Sequence, residues 1–268
     1  MILGICTSMN SRGSNDVGLD QAEYSKKLGL DYLELPAERI MRMSDSRFEG
    51  LKKDLSEGPL PCLACNSYID QSVRLLGRDF DKDKFENYIN RSLERIASLG
   101  AKKVVFGSAR ARNVPSYLSM EEGRAQLIER IKFMAQAAER HNIELELEHL
   151  NRIESNILNT FEETVLMAKQ LNLPNVKSIF DYYHFAVSGE REDLIKESET
   201  WIGHIHFACT LERKMPDLEE AKKLESLLKI LRDCSYDGTF SIEAFFPGFE
   251  MDNMQYKSVV DYIRGQLG

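Results

Sequence analysis

Residues 145–156 read LELEHLNRIESN, and the first four of them alternate leucine with glutamate. An alternation with period two predicts a β-strand that carries Leu145 and Leu147 on one face and Glu146 and Glu148 on the other. A strand with one solvated face would explain both glutamates without any function. Whether that explanation holds depends on the kind of sheet that the strand joins.

Seven other short apolar runs occur along the chain, and helical patterns separate them. Strands that alternate with helices predict a parallel sheet. Eight such units in 268 residues average about 33 residues each, which matches a (β/α)8 barrel of roughly 250 residues. The eight runs cover residues 2–7, 31–36, 60–68, 102–108, 144–150, 176–184, 202–209 and 239–246.

The fold predicted for residues 1–268 is therefore a single α/β domain, a (β/α)8 TIM barrel. Gly100 and Asn142 are residue types that commonly end helices, and their positions fit the alternation of strands and helices. A doubly wound open sheet is the alternative, but no G-x-G-x-x-G motif follows an early strand. No linker or low-complexity tract divides the chain.

Composition restricts the partners and the compartment. A net charge of −8 argues against a protein that binds nucleic acid phosphates, which require a basic surface. Five scattered cysteines imply no disulfide framework and favour a reducing compartment. The sequence shows neither a signal peptide nor an apolar stretch long enough to span a membrane. We therefore expect a cytoplasmic protein without nucleic acid or membrane partners.

The barrel prediction removes the simple explanation for the two glutamates. In a closed parallel barrel one strand face meets helices and the other fills the interior, so neither is open to water. Glu146 and Glu148 should both point inward, with Glu148 nearer the carboxyl end, where such barrels build active sites. A buried carboxylate must be paired, protonated or bound to a metal. For Glu148 alone, a structural ion pair is an equally good explanation.

Three further strands favour a metal site. Each offers potential ligands at the same end of the barrel, and four coincident structural ion pairs are a less economical explanation than one site. Mainly oxygen ligands with one imidazole suit Mn²⁺, Mg²⁺ or Co²⁺ better than a thiolate-rich zinc site would. The candidate side chains are Glu148 on the fifth strand, Asp181 and His184 on the sixth, His204 and His206 on the seventh, and Glu243 on the eighth.

The same residues carry a family resemblance. The chain resembles the xylose isomerase-like sugar phosphate isomerase/epimerase superfamily, and most closely its ketose 3-epimerase branch, which is similar to D-tagatose 3-epimerase. The resemblance covers the second half of the chain well. In the first half it rests only on the alternation of strands and helices. The matching motifs are VVFGSARARNVP (104–115), LEHLNRIESNILNT (147–160), FDYYH (180–184), GHIHFA (203–208) and YDGTFSIEAF (236–245).

The resemblance implies a cofactor and a set of site residues. It implies one divalent cation, with Mn²⁺ favoured over Mg²⁺, Co²⁺ or Zn²⁺. The family commonly has a Pro-Gly-x-Gly turn after strand seven, whereas this chain has MPDLEEAK without glycine, so we expect a remodelled loop there. The implied metal ligands are Glu148, Asp181, His206 and Glu243. The implied substrate-binding residues are Glu154, His184 and Arg213.

The implied chemistry is proton transfer at a carbon next to a carbonyl, through an enediolate. Glu148 and Glu243 on opposite sides of that carbon would make an epimerase of a sugar or sugar phosphate, with ketose 3-epimerisation favoured. Proton transfer between adjacent carbons would instead make an aldose–ketose isomerase. A lyase, dehydratase or deglycosidase that uses the same enolisation is also open. Arg110 and Arg112 could bind a substrate phosphate, although exposed loop arginines are common.

Two other classes of function are less favoured. Apurinic endonucleases share the superfamily, but they have a histidine-rich trinuclear zinc site, and this acidic chain has no histidine before His141. A non-catalytic barrel would not require a complete set of ligands. The expected partner is a small carbohydrate substrate, and a homo-oligomer is left open.

Overall fold

The computed structural model describes residues 1–10, 16–245 and 255–267. Its strands form one closed parallel barrel in chain order. The strands are β1 (Ile2–Cys6), β2 (Tyr32–Pro36), β3 (Cys62–Asn66), β4 (Lys103–Phe106), β5 (Glu144–Leu147), β6 (Val176–Asp181), β7 (Ile202–Phe207) and β8 (Thr239–Ile242).

The pairing of β1 with β8 closes the barrel. It is parallel and joins Ile2 to Thr239 at one end and Ile5 to Ile242 at the other. In an open doubly wound sheet the two edge strands would each have a neighbour on one side only. The pairing of β1 with β8 therefore excludes an open sheet. The prediction of a (β/α)8 barrel is confirmed.

Helices surround the barrel and bury their apolar faces against it. Sequence signals set several of their ends. Gly100 (φ 94°) and Asn142 (φ 54°) adopt the left-handed conformation that ends a helix, as predicted. The helices are α1 (Ala22–Leu28), α2 (Ala37–Arg42), α3 (Asp45–Glu57), α4 (Lys82–Ser98), α5 (Ala109–Arg112), α6 (Met120–Glu139), α7 (Phe161–Leu171), α8 (Tyr182–Ser188), α9 (Asp193–Glu197), α10 (Leu218–Lys222), α11 (Glu225–Asp233) and α12 (Gln255–Leu267).

Each strand is shorter than its apolar run, and in β5 and β6 the difference positions the site. β5 ends at Leu147, so Glu148 lies just beyond the strand. β6 ends at Asp181, whose carboxylate accepts a hydrogen bond from the backbone N–H of His184 at 3.0 Å and begins α8. The sequence interpretation extended strand six to residue 184. In the structure His184 instead lies in the first turn of a helix.

Glycine makes room for large side chains inside the barrel. A Cβ on Gly4 would lie 2.4 Å from Cζ of Tyr32, so only glycine allows this buried ring to cross the interior. A Cβ on Gly203 would lie 2.3 Å from the carboxylate of Glu146. Glu146 is fully buried and pairs with Lys103 at 3.2 Å, as a structural ion pair inside the barrel.

We predict that Gly4→Ala lowers the free energy of unfolding by about 1–3 kcal/mol, because the new methyl group must displace the Tyr32 ring. The matched control is Gly50→Ala in α3, where a Cβ meets no atom within 4 Å. That change should stabilise the protein by about 0.5–1 kcal/mol through helix propensity. Urea unfolding of both variants measures the difference. Equal stabilities would show that Tyr32 does not need this space.

Candidate active site

Four buried side chains converge at the carboxyl end of the barrel. They come from four successive strands or the residues just after them, and one ligand atom from each lies within 4.8 Å of the others. Nδ1 of His206 lies 3.2 Å from Glu243, 3.7 Å from Glu148 and 3.8 Å from Asp181. The structure thus brings together the four residues that the resemblance implied as ligands.

The imidazole of His206 is oriented by a carboxylate beneath it. Nε2 of His206 lies 2.9 Å from Oε1 of Glu34, a fully buried residue of β2. Although burial opposes ionisation, His206 and His204 hold the pKa of Glu34 well below its usual range. An ionised carboxylate only accepts hydrogen bonds, so Nε2 donates the proton. Nδ1 faces the three carboxylates and makes no aligned hydrogen bond with any described residue. Although burial opposes it, the surrounding negative groups, Glu34 and Glu243 among them, raise the pKa of His206, so Nδ1 holds a proton that a bound cation would replace.

These groups fit a divalent cation. Three carboxylates and one neutral imidazole nitrogen form the oxygen-dominated donor set that Mn²⁺, Mg²⁺ and Co²⁺ accept. The orphaned Nδ1 is the atom that a metal would satisfy. Ligating histidines usually donate their second N–H to a carboxylate, as His206 does to Glu34.

The pKa values of the Glu148 and Glu243 carboxyls are shifted in opposite directions. Burial, reinforced by the charge of Glu243, raises the pKa of Glu148 above its ordinary value. Burial acts on Glu243 as well, but the charges of Arg213 and His206 lower the pKa of this group. A pair of carboxyls whose pKa values are pushed apart can hold one proton between them, which acid–base chemistry requires.

Arg213 lies against the acidic cluster on a loop without glycine. Its guanidinium contacts Glu243 directly and lies 3.5 Å from Asp181. Glu212 (φ 57°) and Arg213 (φ 49°) both adopt the left-handed conformation that glycine usually supplies. The backbone of this loop is fixed to the end of β8, because the N–H of Phe245 donates to the carbonyl of Arg213 at 2.8 Å.

His184 presents an N–H group that no described residue accepts. Its Nδ1 accepts the backbone N–H of Asn151 at 3.2 Å, so the proton of the neutral ring lies on Nε2. Nε2 is buried and lacks a hydrogen-bond partner among the described residues. The Asn151 amide also donates to the exposed carboxylate of Glu154 at 3.1 Å. Asn151 therefore connects the two predicted substrate residues.

Sequence reasoning missed three polar residues of the site. Asn66, at the end of β3, donates a hydrogen bond to Glu243 at 3.2 Å, and Asn151 positions His184. The sequence offered little indication of these two asparagines, because an asparagine after a strand often forms part of a turn. Glu34 could have been found, because YLELP alternates in the same way as LELE and places Glu34 inside the barrel.

The two arginines after β4 differ in their surroundings. Arg112 is fully buried and donates to the backbone carbonyls of Phe106 at 2.9 Å and Leu158 at 3.4 Å, so it cannot reach a substrate phosphate. That part of the phosphate hypothesis is wrong. Arg110 is exposed, donates to Gln71 at 2.6 Å and lines a cavity of about 390 Å³.

Comparison with known proteins identifies the family. Residues 22–265 match the sequence model described as a xylose isomerase-like TIM barrel. The chain belongs to that family. Within the family, the chain is 30% identical over 232 residues to D-psicose 3-epimerase of Agrobacterium fabrum. The alignment covers 82% of this chain and 76% of the relative. The family prediction is confirmed.

Other members extend the range of reactions. The chain is 25% identical over 201 residues to 3-dehydro-D-guloside 4-epimerase of Escherichia coli, across 71% of this chain and 73% of the relative. A crystal structure of D-psicose 3-epimerase in the presence of D-fructose superposes with a TM-score of 0.83, with 21% identity and full coverage of both chains. The prediction of a sugar epimerase agrees with these names.

The helices give no sign of a membrane span. Within residues 1–10, 16–245 and 255–267, none is both long enough and apolar enough to cross a bilayer.

Proposed function

We propose that this protein is a divalent-metal-dependent sugar epimerase that inverts a carbon next to a carbonyl. Ketose 3-epimerisation is the favoured reaction, in keeping with the D-psicose 3-epimerase relative. The single observation that carries the proposal is the pair Glu148 and Glu243. They follow β5 and β8, two strands that are not neighbours in the barrel, and both approach the same imidazole nitrogen of His206.

The two carboxyls carry out the proton transfer. In one direction Glu243, which Arg213 holds ionised, removes the proton from the substrate carbon, and the electron pair of the C–H bond moves toward the carbonyl oxygen. Glu148, which burial favours in its protonated form, returns a proton to the opposite face. The roles exchange for the other epimer. The reaction consumes neither an oxidant nor water.

Glu148, Asp181, His206 and Glu243 would hold the cation. When bound, it supplies Lewis-acid stabilisation of the negative charge that develops on the substrate oxygens. His184 would donate its unpaired Nε2–H to a substrate oxygen. We assign substrate contacts to Glu154 and Arg213 as well. Glu154 is linked to His184 through Asn151, and Arg213 lies against Glu243.

A cavity beside the site favours a second candidate, 4-epimerisation of a 3-keto glycoside, as the name of the Escherichia coli relative describes for that protein. Ser67 and Ser108 line the cavity of about 390 Å³. Each directly follows a residue that contacts the acidic cluster, since Asn66 donates to Glu243 and Gly107 packs against Glu148. The volume lies within the usual range for ligand sites, about 300–1,000 Å³. A glycoside would place the group that is linked to its sugar in this cavity.

The donor chemistry and the thiols support our proposals for the ion and the compartment. Oxygen-dominated donors favour Mn²⁺, with Mg²⁺, Co²⁺ or Zn²⁺ as alternatives. All five cysteines are free thiols, which supports a reducing, cytoplasmic setting.

A substrate panel tests the proposed function. The Mn²⁺-loaded protein is incubated with D-fructose, D-psicose, D-tagatose and a 3-keto glucoside, and ¹³C NMR identifies the products. The proposal predicts inversion at the carbon next to the carbonyl, C3 for a ketose or C4 for the 3-keto glycoside. Formation of an aldose would support an isomerase instead, and loss of a leaving group would support a lyase.

We predict that His184→Asn and Glu154→Gln each lower kcat/KM by about 10–10³-fold without loss of metal. Neither side chain belongs to the cluster of four potential ligands, and both are proposed to contact the substrate. Steady-state kinetics and metal analysis of the purified variants measure the two effects. His141→Asn and Glu162→Gln, which lie on outer helices or their ends, are the matched controls. Loss of metal from either site variant would show that its residue belongs to the metal shell.

A further inference from the structure

Glu34 lies at the centre of the barrel, beneath the four clustered ligand groups. It is fully buried on β2, and both carboxylate oxygens are occupied. Oε1 accepts from Nε2 of His206 at 2.9 Å. Oε2 accepts from Nε2 of His204 at 2.8 Å and from the hydroxyl of Ser241 at 2.6 Å. One carboxylate thus joins two histidines of β7 to β8.

The hydroxyl groups around Glu34 have a fixed direction. Because the carboxylate only accepts, Ser241 must donate its single proton to Glu34. The hydroxyl of Tyr32 lies 2.6 Å from Ser241 and must therefore donate to it. Gly4 leaves the space that the Tyr32 ring occupies. The whole chain of donors ends on Glu34 and holds this carboxylate in one orientation.

We propose that Glu34 is a positioning residue for the metal centre: it fixes His206 in the tautomer with a proton on Nε2 and directs Nδ1 at Glu148, Asp181 and Glu243. This inference rests on the proposed function, because it concerns the affinity of the same site for its cation. A carboxylate on the distal nitrogen also makes the ligating nitrogen more basic. In this arrangement Glu34 acts through His206 and is not itself a ligand of the cation.

A competing arrangement uses the other face of His206. Cys6, Glu34 and Nε2 of His206 also lie close enough together to hold an ion, with Cys6 Sγ 3.5 Å from Nε2. The geometry of Glu34 argues against it. Both oxygens of Glu34 already accept hydrogen bonds.

The test compares Glu34→Gln with Glu146→Gln. Glu146 is a matched control, since it is also a fully buried glutamate inside the barrel, but it pairs with Lys103 and makes no hydrogen bond to His206. Mn²⁺ binding is measured by the EPR signal of the free ion during titration, and circular dichroism checks the fold. We expect Glu34→Gln to bind Mn²⁺ about 10–100-fold more weakly than the wild type, and Glu146→Gln to bind it like the wild type.

A second measurement on the wild type does not depend on the folding of a variant. The chain has only five histidines, so ¹H–¹⁵N correlations of ¹⁵N-histidine protein loaded with diamagnetic Zn²⁺ should resolve them, with His206→Gln assigning the signal. The proposal predicts a protonated Nε2 and a metal-bound Nδ1. A protonated Nδ1 with a metal-bound Nε2 would overturn it in favour of the Cys6 arrangement.

The outcomes separate this inference from the proposed function. If the wild type binds Mn²⁺ and Glu34→Gln binds it equally well, the positioning role is wrong and the proposed function stands. The positioning role is also wrong if both glutamine variants lose affinity alike. If the wild type binds no divalent ion, the metal-dependent function itself fails, and the role of Glu34 fails with it.

Discussion

Replacing either Glu148 or Glu243 with glutamine should slow sugar epimerisation by about 10²–10⁴-fold or more, the usual contribution of a general acid–base group. Glutamine keeps the size of the side chain but can neither remove nor return a proton. Each residue is needed for both directions, because the base for one epimer is the acid for the other. The expected loss is therefore similar for the two variants, although their carboxyls have opposite pKa shifts.

The two variants differ from each other in hydrogen exchange. With one carboxyl left, each should still exchange the substrate hydrogen with D₂O from the single epimer that the surviving base can reach. Because both residues are also proposed ligands, the metal content of each variant has to be measured before its rate is interpreted. Glu146→Gln, a buried glutamate outside the cluster, should retain epimerisation. Near-normal epimerisation by a Glu148 or Glu243 variant would refute the two-base mechanism.

Removal of the divalent ion is expected to lower the rate by at least about 10²–10³-fold, because the Lewis acid contributes several kcal/mol and each 1.36 kcal/mol is a factor of ten. Treatment with a chelator followed by desalting should produce this loss, and added Mn²⁺ should restore turnover. Three carboxylates clustered around His206 form an oxygen-dominated set, from which we expect a chelator to remove the ion. Full turnover by protein whose metal content has been verified as nil would contradict this account.

The same ion should stabilise the fold. A ligand at one hundred times its Kd adds about 2.7 kcal/mol to the free energy of unfolding, which raises Tm by about 5 °C for a protein of 268 residues. Asp181→Asn removes one proposed ligand charge and should reduce the Mn²⁺-dependent increase in Tm. His141→Asn, at the end of an outer helix, should leave it unchanged. An equal increase in the wild type and Asp181→Asn would place the stabilising ion elsewhere.

Periodicity was sufficient to predict the fold. Eight strand-and-helix units leave few architectures for a chain of this length, and the alternation LELE placed Glu146 and Glu148 on the inner face. Strand ends were less predictable. IFDYYH reads as one continuous strand in the sequence, but the carboxylate of Asp181 caps the backbone of His184 and turns the chain into a helix. A local side-chain hydrogen bond decided that boundary.

The candidate site was predictable where its residues lie on strands and less so where they lie on loops. His206 belongs to an alternating strand whose inward face follows from the pattern, whereas Asn66 and Asn151 follow strand ends. The contact of Arg213 with Glu243 depends on two consecutive left-handed residues, for which the sequence carries no glycine signal. The burial of Arg112 depends on backbone carbonyls that only the folded chain brings together.

The most direct test of the central claim follows the hydrogen on the inverted carbon. Mn²⁺-loaded protein and its best substrate from the panel are incubated in D₂O, and NMR locates the deuterium in the product. Proton removal and return by Glu148 and Glu243 on opposite faces predicts an inverted product with deuterium at the inverted carbon and at no other position. An inverted product that keeps its original hydrogen, or deuterium at the neighbouring carbon of an aldose, would contradict the two-base epimerase.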